Sequence, residues 1–384
     1  MIVREIAPLL LEYSRSFRSV VLVGPRQSGK TTLAKACFPG KPYVSLENPD
    51  MLELANQDPR GFLGGFSRGA ILDEIQRAPQ LFNYLQEILD NTEEDGLFIL
   101  TGSNNILLQE NISQTLAGRI GILDLLPLSY REIRELVKGL SLPELIVRGF
   151  YPEIYHKSRN PQIWYQSYIR TYLERDVRQI RQIENTLLFQ KFLRLCAGSV
   201  GQQVNYASLS NDCGIDVRTV HSWLSVLENS FVLYRLQPFH QNFKKRLVKS
   251  PKIYFVDTGL ACALLNIKSK DELSNSHFKG ALVENFVISE CLKNKQNLNP
   301  YDRKFYYWRD NNGTEIDLII EEGNTISPVE IKSAQTYSND FSRSMKKFML
   351  YSGTTHGSIV YDGSAGFKGS DGIDLLNWKD FLFM

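Results

Sequence analysis

Residues 19–32 restrict the fold more than any other stretch. Five residues suited to a buried strand, 19–23, run without a break into Gly24, Pro25, Arg26, Gln27, Ser28, Gly29, Lys30 and Thr31, and Thr32 opens a helix-compatible segment. A strand, a glycine-bounded loop and a helix N-terminus together aim backbone N–H groups at one point, which makes an anion site. The pattern is GxxxxGK[ST] in the context that motif requires. Gly24 and Gly29 permit the tight turn, Lys30 reaches β- and γ-phosphates, and Thr31 offers a hydroxyl to Mg²⁺. ATP and Mg²⁺ are therefore the expected ligands, with residues 24–32 lining the nucleotide. The structural alternative is an ordinary glycine-rich turn before a helix.

Short apolar runs follow at 43–46, 70–72, 97–100 and 121–126, separated by helix-period or loop segments. This order predicts an α/β domain with a parallel sheet. The run before Asp73 and Glu74 ends in two carboxylates: Asp73 suits the Mg²⁺ shell and Glu74 can polarise an attacking water. A solvated acidic strand end is the competing reading. The run at 97–100 leads to Ser103 and Asn104, small polar groups where open α/β sheets bind ligands, and either could sense a γ-phosphate. Arg119 precedes the last strand and suits phosphoryl charge, in cis or from a neighbouring subunit of a homo-oligomer. A plain salt-bridged arginine fits that position nearly as well.

The chain has 384 residues, 43% of them hydrophobic, enough for two to four cored domains. Its 44 Lys and Arg against 42 Asp and Glu provide no global attraction to polyanions, so any nucleic-acid surface must be local. Five dispersed cysteines without a CxxC pair argue against a disulfide framework or a zinc site and fit a reducing, cytoplasmic location. Arg4, Glu5, Pro8 and Glu12 interrupt the apolar residues of 1–17, so no signal peptide is expected. No uncharged apolar run approaches the roughly 18 residues of a membrane span.

Four segments are expected: a P-loop domain at 1–142, a helical lid or connector at 143–185, a winged helix at 186–265, and an α/β domain at 266–384. Residues 206–213 and 217–229 read as two helices around Gly214, with Asp216 capping the second. Val220, Trp223, Leu224 and Leu227 form its apolar face and leave Arg218 outward. Strands at 231–236 and 252–256 bracket Lys244, Lys245, Arg246 and Lys249 as a basic wing. Such residues would contact DNA phosphates without reading sequence. The alternative is a winged helix that serves only for packing.

In the last segment Glu284 lies on a predicted helix, and Asp317, Glu330 and Lys332 on predicted strands. Residues two apart on a strand share a face, so Glu330 and Lys332 point the same way and Asp317 on the adjacent strand can meet them. Glu284, Asp317 and Glu330 are expected to hold a divalent metal, with Lys332 helping to activate water for phosphodiester attack. The competing reading is an edge sheet whose outer face carries Glu315, Asp317, Glu330 and Lys332 as surface ion pairs of little energetic value.

With these residues together, the chain resembles, over nearly its whole length, the bacterial and archaeal AAA+-like ATPases fused to a C-terminal domain of unknown function. The resemblance rests on 24–31, on Leu72, Asp73, Glu74, Gln76 and Pro79, and on 101–103, 116–119 and 126–132. It continues through 149–153, 172–177 and 250–260. Glu284, Asp317, Glu330 and Lys332 look like the PD-(D/E)XK nuclease signature of such C-terminal domains. The resemblance implies ATP binding and hydrolysis, a winged helix and a restriction-endonuclease-like end. Three functions fit it: an ATPase that repositions DNA-interacting domains, a nucleotide-regulated scaffold with a silent nuclease fold, or a metal-dependent nuclease licensed by ATP.

Overall fold

The structure is a computed structural model that describes residues 2–103, 116–171, 185–239, 250–364 and 366–384. Asn104, residues 172–177 and the wing residues Lys244, Lys245, Arg246 and Lys249 lie outside the described residues. The chain divides into two compact units. One comprises residues up to Leu128 with Asn229–Phe231 and Gln296–Leu298, and the other the remainder from Ser129.

In the first unit, β1 (Ser19–Val23), β2 (Tyr43–Ser45), β3 (Ala70–Asp73), β4 (Phe98–Gly102) and β5 (Ile120–Asp124) form one sheet in the order β2-β3-β4-β1-β5. All its pairings are parallel. Parallel strands need crossover connections, and helices on the faces bury both sides of the sheet, which is why β1, β3 and β4 are buried at every position. Val20, Leu22, Ile71, Ile99 and Leu123 pack with Leu10 and Leu33 from flanking helices. Because the strands run in one direction, the loops after β1, β3 and β4 open at the same sheet edge. Those loops carry Lys30, Glu74 and Ser103.

In the second unit, helices Leu142–Arg148, Pro152–His156 and Pro161–Tyr168 precede Thr186–Gly198, Tyr206–Cys213 and Val217–Asn229. The expected helices at 206–213 and 217–229 form with those bounds, Gly214 ends the first in the left-handed region at φ 79°, and Asp216 caps the second through the Thr219 backbone N–H at 2.8 Å. Val220, Trp223, Leu224 and Leu227 are buried, Arg218 is exposed, and Phe189 and Phe192 set their ring edges against Trp223. Asp257 fixes the next helix, Thr258–Leu264. Its carboxylate accepts from the Leu260 N–H at 2.9 Å, the Phe150 N–H at 2.7 Å and the Tyr165 hydroxyl at 2.6 Å, all buried.

The strands β6 (Leu233–Pro238), β7 (Lys252–Phe255), β8 (Arg303–Arg309), β9 (Glu315–Glu322), β10 (Thr325–Lys332), β11 (Gly357–Tyr361), β12 (Phe367–Lys368) and β13 (Ile373–Asn377) form a mixed sheet. Its order is β12-β13-β11-β10-β9-β8-β6-β7. The antiparallel pair β6–β7 joins the rest through a parallel pairing of β6 with β8. The strands of the expected wing thus continue the C-terminal sheet. β9 and β10 lie inside it, flanked by β8 and β11, which overturns the reading of an edge sheet. Helix Lys279–Leu298 carries Glu284. Among the described residues no helix is long and apolar enough to cross a membrane.

Candidate functional site

The loop after β1 is held from both sides. A Cβ on Gly24 would stand 2.1 Å from the Leu125 carbonyl oxygen, so only glycine fits that close approach, and Gly29 sits at φ 96°, where glycine is favoured. Arg4 buttresses the loop from below, donating to the Ser28 carbonyl at 2.7 Å and the Leu126 carbonyl at 2.8 Å. Lys30 opens helix Lys30–Cys37 and is buried, its ammonium donating to the carbonyls of Gly24 and Pro25 at 2.9 Å each. Burial pulls its pKa down to about 8, against the opposing charges of Glu74 and Asp73. The Ser28 hydroxyl is buried without a hydrogen-bond partner among the described residues, a polar group left for a ligand.

The Thr31 hydroxyl meets the Asp73 carboxylate at 3.0 and 3.2 Å. Tyr43 donates to the same carboxylate at 2.7 Å, and Thr101 donates to its other oxygen. Burial, and then the contact with Asp73, push the Tyr43 hydroxyl up to about 12, so it stays a donor. A hydroxyl and a carboxylate held together at a phosphate loop are the hard oxygen donors Mg²⁺ takes. Glu74 follows in the left-handed region at φ 57° and ψ 46°, a conformation that costs a non-glycine residue on the order of 1–3 kcal/mol. Ser103 donates to its Oε2 at 2.9 Å and Gln76 donates to the same oxygen.

Sequence reasoning brings Lys30, Thr31, Asp73, Glu74 and Ser103 together, and the structure assembles those five. That reasoning gives no role to Tyr43, Gln76, Thr101 or Arg4; Gln76 and Thr101 enter it only through the family resemblance, and it is the strand order that brings Tyr43 and Thr101 to Asp73. Pro25, Gln27 and Thr32 sit in or beside the loop, and Arg26 pairs with Glu47 at 3.4 Å on its exposed side. Arg119 is engaged elsewhere: Asp90 takes it bidentately, at 2.5 and 3.0 Å, and the Ala117 carbonyl at 3.1 Å. The salt-bridged alternative describes its present contacts.

The second cluster lies in the other unit. One oxygen each from Glu284, Glu315 and Asp317 falls within 4.8 Å of the others, all three residues half-buried. The Lys252 ammonium pairs with Glu284 at 2.9 Å and with Glu315, and Tyr254 donates to the same Glu284 oxygen at 2.5 Å. Asp317 accepts from the Ile331 N–H at 2.8 Å. Glu330 is 4% exposed; Lys332 donates to its Oε1 at 2.6 Å, and its Oε2 is buried without a partner among the described residues. Burial, then the Asp317 charge, push Glu284 up to about 7 and Glu330 to about 8.

The expected quartet of Glu284, Asp317, Glu330 and Lys332 is thus within mutual electrostatic reach, but the tightest trio has Glu315 where Glu330 was expected. Glu315 and Asp317 are two apart on β9 and share a face, whereas Lys332, two residues along β10, holds Glu330. The reading as surface pairs fails for Glu330, which burial removes from water.

Residues 16–134 match the model of an AAA domain, 139–271 that of a domain of unknown function, DUF8612, and 279–381 that of another, DUF4143. An uncharacterized protein of Mycobacterium tuberculosis is 33% identical over 359 residues, spanning 92% of this chain and 78% of its own. An uncharacterized protein of Methanocaldococcus jannaschii is 26% identical over 354 residues, spanning 82% and 70%. Among solved structures, a Walker-type ATPase of Pyrococcus abyssi is similar at 15% identity and a TM-score of 0.46, covering 69% of this chain and 96% of that one. That likeness is too distant to transfer residue roles.

Proposed function

We propose the following chemistry for this chain, which belongs to the family of proteins that join an AAA-type P-loop ATPase domain to DUF8612 and DUF4143 domains: it binds ATP with Mg²⁺ at residues 24–32 and hydrolyses it. The observation that carries this reading is the meeting of Lys30, Thr31, Asp73 and Glu74 at one sheet edge. Lys30 and the loop N–H groups hold the phosphates, and Thr31 and Asp73 hold Mg²⁺, which neutralises phosphate charge when bound. Glu74 orients the attacking water and takes its proton. Ser103 and Gln76 fix the carboxylate that does so.

Arg119 reaches the γ-phosphate only if its pair with Asp90 opens, or if it acts across a subunit interface. An Arg119→Ala variant that folds should hydrolyse ATP at least about tenfold more slowly, since a charge-stabilising arginine contributes that much or more. Unchanged single-turnover rates would remove Arg119 from the mechanism.

The nucleotide state, in this reading, controls a C-terminal region made of the segments 143–185, 186–265 and 266–384, in the cytoplasm and on DNA. Arg218, Lys244, Lys245, Arg246 and Lys249 make the sequence-tolerant phosphate contacts. Reversing the charge of the four wing residues should then abolish the salt-sensitive binding to duplex DNA. Equal affinity of parent and variant, or no binding by the parent at low salt, would leave the helices as a packing module. Glu284, Glu315 and Asp317, with Glu330 and Lys332 beside them, form the divalent-metal site of the DUF4143 segment.

ATP turnover measured with duplex DNA, with RNA and with neither tests the whole. Stimulation by DNA supports the leading reading. Slow turnover indifferent to all three favours a nucleotide-regulated scaffold, the reading that the Lys252 ammonium lodged among the carboxylates also favours.

A further inference from the structure

We propose that Lys252 is the built-in cation of the carboxylate cluster and that a divalent ion occupies Glu284, Glu315 and Asp317 only by displacing its ammonium. The inference rests on reading that cluster as a metal site, and goes beyond it by assigning what guards it. Lys252 opens β7, the strand that pairs with β6, and is 2% exposed. A lysine is almost never this buried without charge partners. Its partners are two of the three residues whose oxygens converge: Glu284 at 2.9 Å, and Glu315.

An ion bound at 2.0–2.6 Å to oxygens that lie within 4.8 Å of one another would sit among them. The ammonium, in contact with two of those groups, takes that place or adjoins it, and a divalent ion beside a buried ammonium meets direct repulsion. The Glu284 oxygen facing Lys252 also accepts from Tyr254, so two donors already hold it.

Two further observations separate this arrangement from a finished structural salt bridge. Glu330, within reach of the Asp317 and Glu284 charges, keeps a buried Oε2 with no partner among the described residues, so the cluster still has acceptor capacity that neither lysine fills. The backbone of Lys252 is pinned opposite Leu236, while its four-carbon stem has rotatable bonds of its own. Displacement therefore needs a side-chain movement and no strand shift.

The test is calorimetric titration of Mn²⁺ into the full chain without nucleotide, for the parent, Lys252→Met, Asp317→Ala and the double variant. Lys252→Met keeps the length and removes the charge. It should bind Mn²⁺ at least about tenfold more tightly than the parent. Asp317→Ala should remove binding in either background. Equal or weaker binding by Lys252→Met, with both Asp317→Ala variants silent, would overturn the displacement and leave the metal site standing. No binding by either protein at about 10 mM Mn²⁺, beyond the range of weak hard-cation sites, would overturn both. Should Lys252→Met fold poorly without metal, Lys252→Gln replaces it and thermal unfolding supplies the readout. Mn²⁺ should raise the midpoint of the variant more than that of the parent, and equal rises would overturn the proposal.

Discussion

Glu74→Gln should lower ATP hydrolysis by on the order of 100-fold or more while leaving ATP–Mg²⁺ bound, and Lys30→Ala should abolish binding itself. The two effects separate because the two residues do different work. A positioned general base contributes about 10²–10⁴ to a rate, and glutamine keeps the size and hydrogen-bonding of glutamate without its proton affinity. Ser103 donates to the Glu74 carboxylate at 2.9 Å and can donate to an amide oxygen in the same place, so the loop should keep its shape. The left-handed backbone at Glu74 is a property of the β3 turn and is unaffected by the exchange. Lys30 is different: its ammonium spans the Gly24 and Pro25 carbonyls and is buried under the loop. Alanine removes the charge proposed to hold the phosphates and leaves two carbonyls without their donor. Equilibrium binding of ATP and single-turnover hydrolysis, measured on all three proteins, decide the matter. ATP bound as tightly by Lys30→Ala as by the parent would end the assignment.

Much of this first site is legible in the sequence because the constraints are local. A glycine-bounded loop, the lysine after it and the strand before it occupy 13 consecutive positions, 19–31, and dictate their own geometry. The same holds for the helix 217–229, where Asp216 and the spacing of Val220, Trp223, Leu224 and Leu227 fix start and buried face together. Tyr43 and Thr101 are not legible. They reach Asp73 only because β2 and β4 flank β3, and strand order is a long-range property with no local periodicity.

The carboxylate cluster divides in the same way. The two-residue spacing on β9 and β10 marks Asp317, Glu330 and Lys332 as sharing faces with near neighbours. It does not say that Lys252, more than sixty positions from Asp317, is brought in by a hairpin that joins the C-terminal sheet through β6 and β8. Nor does it rank Glu315 above Glu330. That choice depends on which carboxylate Lys332 captures, at 2.6 Å, and which is left facing Glu284.

Protonation of this cluster should be visible in stability. In chelator, the unfolding midpoint of the second unit should fall as pH rises from 5 to 9, by on the order of 5–10 °C, and Mn²⁺ should remove most of the fall. All four tryptophans, Trp164, Trp223, Trp308 and Trp378, lie in that unit, so tryptophan fluorescence follows it alone. Glu284 and Glu330 have folded pKa values raised to about 7 and about 8 by burial and by Asp317, above the ordinary 4.5 of an unfolded chain. Between those limits the native state binds more protons than the unfolded one, so stability falls with pH and the contribution is lost once pH passes the folded values. For a unit of this size each kcal/mol of that loss moves the midpoint by about 2–4 °C. A divalent ion supplies the two charges that the departing protons leave uncompensated, so its effect should grow as pH rises. Glu330→Gln fixes one of the two groups in a neutral form and should flatten the profile without metal. A midpoint that is level or rises across this range in the parent would mean that both carboxylates are ionised throughout, with Lys252 and Lys332 alone holding the cluster together.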